Sequence, residues 1–208
     1  MTSEILTLTI EHIELVLVTL AIAASMGLPA AVMLARRARW RRLVVGFVNV
    51  AQTVPSLAMF GFLLPLPLVG GIGKRTAVTA LTLYALLPIV RNTLVGLLGV
   101  DAGVRESAEA MGMTARQILW QVELPLATPS ILTGLRLATV ATIGTATIAA
   151  AIGGGGLGVF IFRGIAMYDK WTVLAGAVPA AAMAIAADEA LGWVEKRSLR
   201  SRGMANGE

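Results

Sequence analysis

The chain has 208 residues, of which 57% are hydrophobic and 14% charged, and its mean hydropathy is +0.80. That composition excludes an ordinary soluble domain and indicates a membrane protein, while the absence of cysteine removes disulfides, Fe–S clusters and thiolate catalysis. The net charge of +5 is read by position, because basic residues in a membrane protein mark cytoplasmic loops.

A helical span takes about 20 apolar residues, so five spans with their loops fill this length. Met1 to Glu14 carries Glu4, Glu11 and Glu14 and no lysine or arginine, unlike the leading segment of a signal peptide. Residues 1–11 are expected to be an extracytoplasmic tail. His12, the lone histidine, reads as an interfacial residue, and no metal site can be built around it. The first span is predicted over 13–34, with Ala23, Gly27 and Ala31 forming a small-residue stripe for close helix approach. Arg36, Arg37, Arg39, Arg41 and Arg42 follow directly, a cytoplasmic stop signal that also suits an anionic lipid surface.

The second span, over 43–69, is interrupted by Asn49, Gln52, Thr53, Pro55 and Ser56. Lipid cannot satisfy such groups, so this helix is expected to line a bundle interior, with Asn49, Gln52, Thr53 and Ser56 as candidates for a pathway wall. Gly70 to Arg75 superficially resembles a phosphate loop, but Leu68 replaces the first glycine and Arg75 the magnesium-binding hydroxyl. ATP is not hydrolysed there. The third span is predicted over 76–98. The fourth, over 129–152, has two small-residue stripes, one of Ala138, Thr142, Ala146 and Ala150 and one of Ala141, Thr145 and Ala149. Arg136 lies inside it and is expected to snorkel to the interface or to meet a partner. The run Gly153 to Gly158 breaks the helix, and the segment 159–168 is too short to span. Gly155, Gly156 and Gly158 are candidates for a gate, with a plain flexible loop as the alternative. The fifth span, over 172–194, leads into a basic tail, 196–208.

Between the third and fourth spans lies one polar stretch, 101–126. Two short helices are expected there, with Gly112 supplying a positive φ between them and Thr114 capping the second. Ala108, Met111 and Ala115, then Ile118, Leu119 and Val122, recur at helical spacing. A loop acidic on one face and apolar on the other suits a groove on a soluble partner, although an ordinary structured connector is the plainer account of these features alone. With the arginine cluster placed inside, five spans put the N-terminus outside, the C-terminus inside and this loop in the cytoplasm.

The stretch resembles the coupling loop of ABC-importer permeases, whose pattern is E-A-A, three residues, G, nine residues, I-x-L-P. Glu106, Ser107, Ala108, Gly112, Val122, Leu124 and Pro125 match it without a gap, with Ser107 for Ala and Val122 for Ile. Gln52 to Leu57, Tyr84 to Thr93, Ile143 to Thr147 and Gly155 to Gly158, leading to Ile161–Ile165, are similar to the osmoprotectant branch of these permeases. The likeness runs from His12 to Arg197.

The resemblance implies an all-α membrane protein with the type I (MetI-like) importer fold over 12–195. It also implies a bacterial cytoplasmic membrane location and a substrate such as glycine betaine, choline or carnitine. The implied partners are ABC ATPase subunits docked on the Glu106 loop, a second permease subunit and an extracytoplasmic substrate-binding protein. On this reading the chain is a non-catalytic subunit with no cofactor of its own, ATP being bound by the ATPase. Since a cation must cross, a weakly polar pathway suits it better than a basic one. The alternatives are a permease for another small solute, such as an amino acid, and an ATP-independent channel or secondary transporter. An integral-membrane enzyme is poorly supported, with one histidine and no clustered acids inside the bilayer.

Overall fold

The computed structural model describes residues 2–200, and every regular element among them is helical. Residues 201–208, which hold the end of the expected basic tail, lie outside the described residues.

The first helix, α1 (Thr2–Ala35), is continuous for 34 residues, so the expected tail is helical from Thr2 and the first pass begins well before Ile13. Ala23 and Ala31 are fully buried. A Cβ on Gly27 would lie 3.1 Å from Ile89 Cγ2 of α4 (Lys74–Leu98), so the small-residue stripe is what lets α1 lie against α4.

The second pass is not one helix but two, α2 (Ala38–Thr53) and α3 (Ser56–Leu63). Val54 precedes Pro55 and is steered out of the α region, which separates them. The polar residues of this pass and its neighbour satisfy the break. Tyr84 donates its hydroxyl to Val54 O at 2.5 Å, the Gln52 amide donates to Tyr84 O at 2.9 Å, and Thr53 Oγ1 donates to Val50 O at 2.7 Å. In lipid, a broken helix is tolerated only when protein covers its freed groups in this way.

After α4 come two short helices, α5 (Ala102–Ala110) and α6 (Ala115–Ile118), then a π-helical turn, Leu119–Glu123. That turn runs straight into α7 (Leu124–Ala146), which therefore starts five residues before the predicted span. A 3₁₀ turn, Ile148–Ile152, ends the pass in place of α-helix. The short α8 (Gly158–Ala166) folds back onto α9 (Lys170–Arg200), where a Cβ on Gly176 would meet Leu157 O at 2.5 Å. Among the described residues, four continuous helical runs are long and apolar enough to cross a membrane: Ser3–Ala35, Lys74–Leu98, Ala115–Ala146 and Lys170–Leu199. The α2–α3 pair supplies the remaining, broken pass.

Contacts between passes sort the chain into two ends. Lys74 pairs with Glu14 at 2.8 Å, Arg163 pairs with Glu4 at 2.8 Å, and Gly73 N donates to Ile152 O at 2.8 Å at one end. At the other, Arg36 pairs with Glu123 and Thr133 Oγ1 donates to Glu195 Oε1 at 2.5 Å. Successive passes therefore alternate in direction, and the arginine cluster, the 101–126 loop and the end of α9 share one end. Between these ends the core is built on Phe60, Leu81 and Ile143, all essentially inaccessible, from α3, α4 and α7. The α4–α7 crossing is close because a Cβ on Gly134 would sit 2.8 Å from Pro88 O. Among lipid-facing helices such small-residue packing, rather than hydrophobic burial, holds the bundle together.

Candidate functional site

The loop between α4 and α7 is built from local signals that act as the sequence predicts. Asp101 caps α5 by accepting from Val104 N at 3.2 Å. Gly112 takes φ +82°, a conformation costly for any residue with a Cβ, and lets Met113 N donate back to Ala108 O at 3.1 Å. Thr114 and Gln117 form a reciprocal capping box at the start of α6, the threonine oxygen accepting from Gln117 N and the glutamine oxygen from Thr114 N at 2.8 Å.

The loop's apolar stripe divides into two faces. Ala108 and Ile118 turn inward and are buried, whereas Met111 is 75% exposed and Trp120 63% exposed. Glu106, Ser107 and Gly112 lie on the outer surface, and Val122, Leu124 and Pro125 are half-buried where the loop joins α7. The outer face thus presents Glu106 and Glu109 beside Met111, with a surface cavity of ≈ 510 Å³ lined by Thr114, Arg116, Gln117, Trp120 and Gln121 next to it. Large exposed apolar side chains rimmed by charge are what a docking surface requires.

One residue of this region was not legible in the sequence. Glu123 is 2% exposed and holds two guanidinium groups, Arg36 at 2.5 Å and Arg105 at 3.0 Å. Arg105 also donates to Leu97 O at the end of α4. One carboxylate therefore ties the π-helical turn to the ends of α1, α4 and α5. Arg36 is accordingly not only part of a charge signal at the membrane edge.

Of the pathway candidates, Gln52 lines a groove of ≈ 740 Å³ with Tyr84, Leu87, Arg91, Ala141 and Thr145. Asn49 lines an adjoining cavity of ≈ 540 Å³ with Arg41, Arg42 and Arg91. Thr53 and Ser56 line neither. The two small-residue stripes of the fourth pass differ in part: Ala138, Thr142 and Ala146 are buried and Ala150 half-buried, whereas in the second Ala141 is exposed on the groove, Thr145 half-exposed there and Ala149 buried. Arg91 belongs to both cavities, so the wall is more basic than the weakly polar lining the sequence predicts.

The glycine loop is held tightly. Gly155 and Gly156 have φ +80° and +77°, and Gly156 N donates to Glu11 Oε2 at 3.2 Å. A Cβ on Gly158 would lie 1.8 Å from Thr147 O. Close approach and left-handed backbone explain these glycines without appeal to flexibility. Beneath them lies His12, which is fully buried, with Nε2 3.1 Å from Ile143 O. With Nε2 as the donor, Nδ1 faces the loop as a buried acceptor without a partner. Among the described residues no cluster of His, Cys, Asp or Glu has metal-binding geometry.

Arg136 finds its partners on α9. Its Nε and Nη2 bind the Asp188 carboxylate at 2.6 and 2.7 Å, and Nη1 lies 3.4 Å from Glu195 Oε2. Such forked pairing is the strong geometry for guanidinium and carboxylate. At the other end of α9, Asp169 receives hydrogen bonds from the Thr172 hydroxyl and Trp171 N, which hold its carboxyl below the usual range.

Residues 26–200 match the family described as binding-protein-dependent transport system inner membrane component. The chain is 42% identical over 201 residues to the choline transport system permease protein OpuBB of Bacillus subtilis (strain 168), covering 97% of this chain and 91% of that protein. It is 41% identical over 194 residues to the glycine betaine/carnitine/choline transport system permease protein OpuCB of the same organism, with 93% and 88% covered. The osmoprotectant import permease protein OsmW of Salmonella typhimurium is 43% identical over 183 residues, with 87% and 85% covered. Among solved structures, the inward-facing MetNI methionine ABC transporter superposes with a TM-score of 0.86 at 23% identity, over 95% of this chain and 97% of that one. An amino acid ABC transporter gives 0.79 at 22% identity, with 94% of each chain covered. These two establish a common fold.

Proposed function

This chain belongs to the family of binding-protein-dependent transport system inner membrane components, and on that premise we propose that it is the permease subunit of an ATP-driven importer for a quaternary ammonium osmoprotectant. It is a multi-pass membrane protein, and the relatives named for choline, glycine betaine and carnitine transport support this substrate class. The chain carries no catalytic centre and no cofactor. ATP is bound and hydrolysed on a partner ATPase, a second permease subunit completes the pathway, and an external binding protein delivers the cargo. The arginine-cluster end faces the cytoplasm and the N-terminus faces outward.

The observation that carries the coupling role is the exposed outer face of α5 and α6. Glu106, Ser107 and Gly112 lie at the surface, while Ala108 anchors that face from beneath. Val122, Leu124 and Pro125 join it to α7, so a movement of the ATPase cleft is passed to a membrane helix. The pathway runs along the Gln52 groove, with Asn49 further along the same wall. Thr53 and Ser56 shape its broken helix rather than its surface. Gly155, Gly156 and Gly158 act as a close-packed seal at the outer end, not as a hinged gate.

The test is reconstitution with the ATPase and binding protein, followed by uptake of radiolabelled betaine, choline and carnitine. ATP-dependent accumulation of one of them is expected. Uptake that proceeds without the ATPase would favour a channel or secondary transporter.

A further inference from the structure

The groove beside Gln52 contains a cation without a counter-charge. Arg91 sits seven residues before the end of α4, inside a membrane-crossing helix, and its side chain is exposed to both cavities. It makes no hydrogen bond or ion pair among the described residues, and no acidic residue lines either cavity. A guanidinium cannot lose its proton, so at this depth it needs water or an anion brought by something else. A pathway for a bare cation would not be expected to place it there.

Seven residues earlier on the same face of α4, roughly 10 Å along the axis, stands Tyr84. Its hydroxyl is committed to Val54 O, which fixes the half-buried ring at a residue that borders the groove. One helix face thus offers an aromatic ring at one position and a free guanidinium two turns away. The first attracts a quaternary ammonium group by cation–π interaction, and the second binds a carboxylate through two parallel hydrogen bonds.

Resting on the osmoprotectant reading above, we propose that this groove is a transient cargo site for zwitterions carrying both groups, such as betaines. In it Arg91 reads the carboxylate and the Tyr84 ring reads the quaternary ammonium. Choline has the ammonium group and no carboxylate, so it gains nothing from Arg91 and meets its positive charge. The site therefore makes the permease itself selective, in addition to the protein that delivers the cargo.

The experiment uses the full reconstituted complex with a binding protein that delivers both glycine betaine and choline, each at saturation. Arg91→Gln is expected to lower betaine uptake about tenfold or more relative to choline uptake, the range for loss of a charge-assisted contact. Arg91→Lys keeps the charge without the fork and should shift the ratio less. An equal fall for both cargoes, as loss of an ion pair to the second permease would give, overturns the proposal, and so does an unchanged ratio. Should Arg91→Gln fail to assemble, the ratio in Arg91→Lys decides, an unshifted value counting against the proposal. A wild-type complex that hydrolyses ATP yet carries neither cargo would instead overturn the osmoprotectant reading on which this rests.

Discussion

Glu123 is the place where the 101–126 loop can be separated from the bundle by one atom-scale change. Glu123→Gln preserves the side chain's volume and removes its charge. The carboxylate is 3% exposed, but its partners differ, the Arg36 side chain being 50% exposed and that of Arg105 30%. A fully buried pair broken by removing one member costs about 3–5 kcal/mol. Here Arg36 can return to water and Arg105 keeps its bond to Leu97 O, so the loss is smaller. Turning the charge-assisted Arg36 hydrogen bond into a neutral one costs roughly 1–1.5 kcal/mol, and loss of the partly buried Arg105 ion pair adds about as much, or about 2–3 kcal/mol for Glu123→Gln. For a chain of this size that corresponds to a fall in Tm of about 4–12 °C.

The functional consequence is sharper than the thermal one. The loop should still reach the ATPase, because its outer face is untouched, but it should no longer move rigidly with α1 and α4. ATP hydrolysis by the assembled Glu123→Gln complex is expected to persist while uptake falls. A double-mutant cycle with Arg36→Gln should give a coupling of about 1 kcal/mol, since contacting residues in one network do not add. Strict additivity, or wild-type Tm and uptake in Glu123→Gln, would refute the claim that this carboxylate ties the loop to the bundle.

Three further outcomes are expected. Gly112→Asp places a Cβ and a charge where φ is +82°, costing roughly 1 kcal/mol or more at an exposed turn, so membrane insertion should be normal while ATPase co-purification and uptake are lost, with Glu106→Ala intermediate. A cysteine at Arg39 should resist an impermeant thiol reagent in intact cells and one at Gly73 should react, and the reverse pattern would invert the orientation. Gly158→Ala would drive a Cβ to 1.8 Å from Thr147 O and should cost about 3 kcal/mol or more in thermal stability, whereas Gly144→Ala, with nothing within 4 Å, should leave the fold intact.

What was legible in the sequence follows from how local each signal is. The turn at Gly112 and the cap at Thr114 rest on residues within a few positions of one another, so their chemistry could be read directly. The break in the second pass was visible in Pro55 and the polar residues around it. That Tyr84 would fill it was not, because the two lie 30 residues apart. Glu123 carried no signal at all: Arg36 is 87 positions away, and the carboxylate looks like any loop acid until the passes are assembled. The burial of His12 was hidden for the same reason, its partner Ile143 being 131 positions distant. The close packing of the glycine run was hidden in the same way: Cβ atoms on Gly156 and Gly158 would meet His12 Nδ1 at 2.9 Å and Thr147 O at 1.8 Å, contacts no local pattern announces.

Loop and groove are linked by one element, whose construction is suited to carry a displacement from the first to the second. From Ala115 the chain stays helical through the π turn to Ala146, so Ile118 under the loop and Ala141 on the groove lie roughly 35 Å apart on one rod. A rod transmits displacement only where its neighbours move with it. Against α4, Gly96 and Gly134 bring the backbones too close for independent sliding: Cβ atoms there would lie 2.9 Å from Ala127 O and 2.8 Å from Pro88 O. Against α9, Arg136 is forked onto Asp188 and reaches Glu195, which also accepts from Thr133. Thus α4, α7 and α9 form a unit, with Glu123 fastening the loop to it at one end. The α2–α3 pass is joined to this unit through Tyr84 and Gln52 at its break, the position where the groove opens. With the helix interrupted at Pro55, the α2–α3 pass is the wall of the groove that can bend while α4, α7 and α9 stay packed.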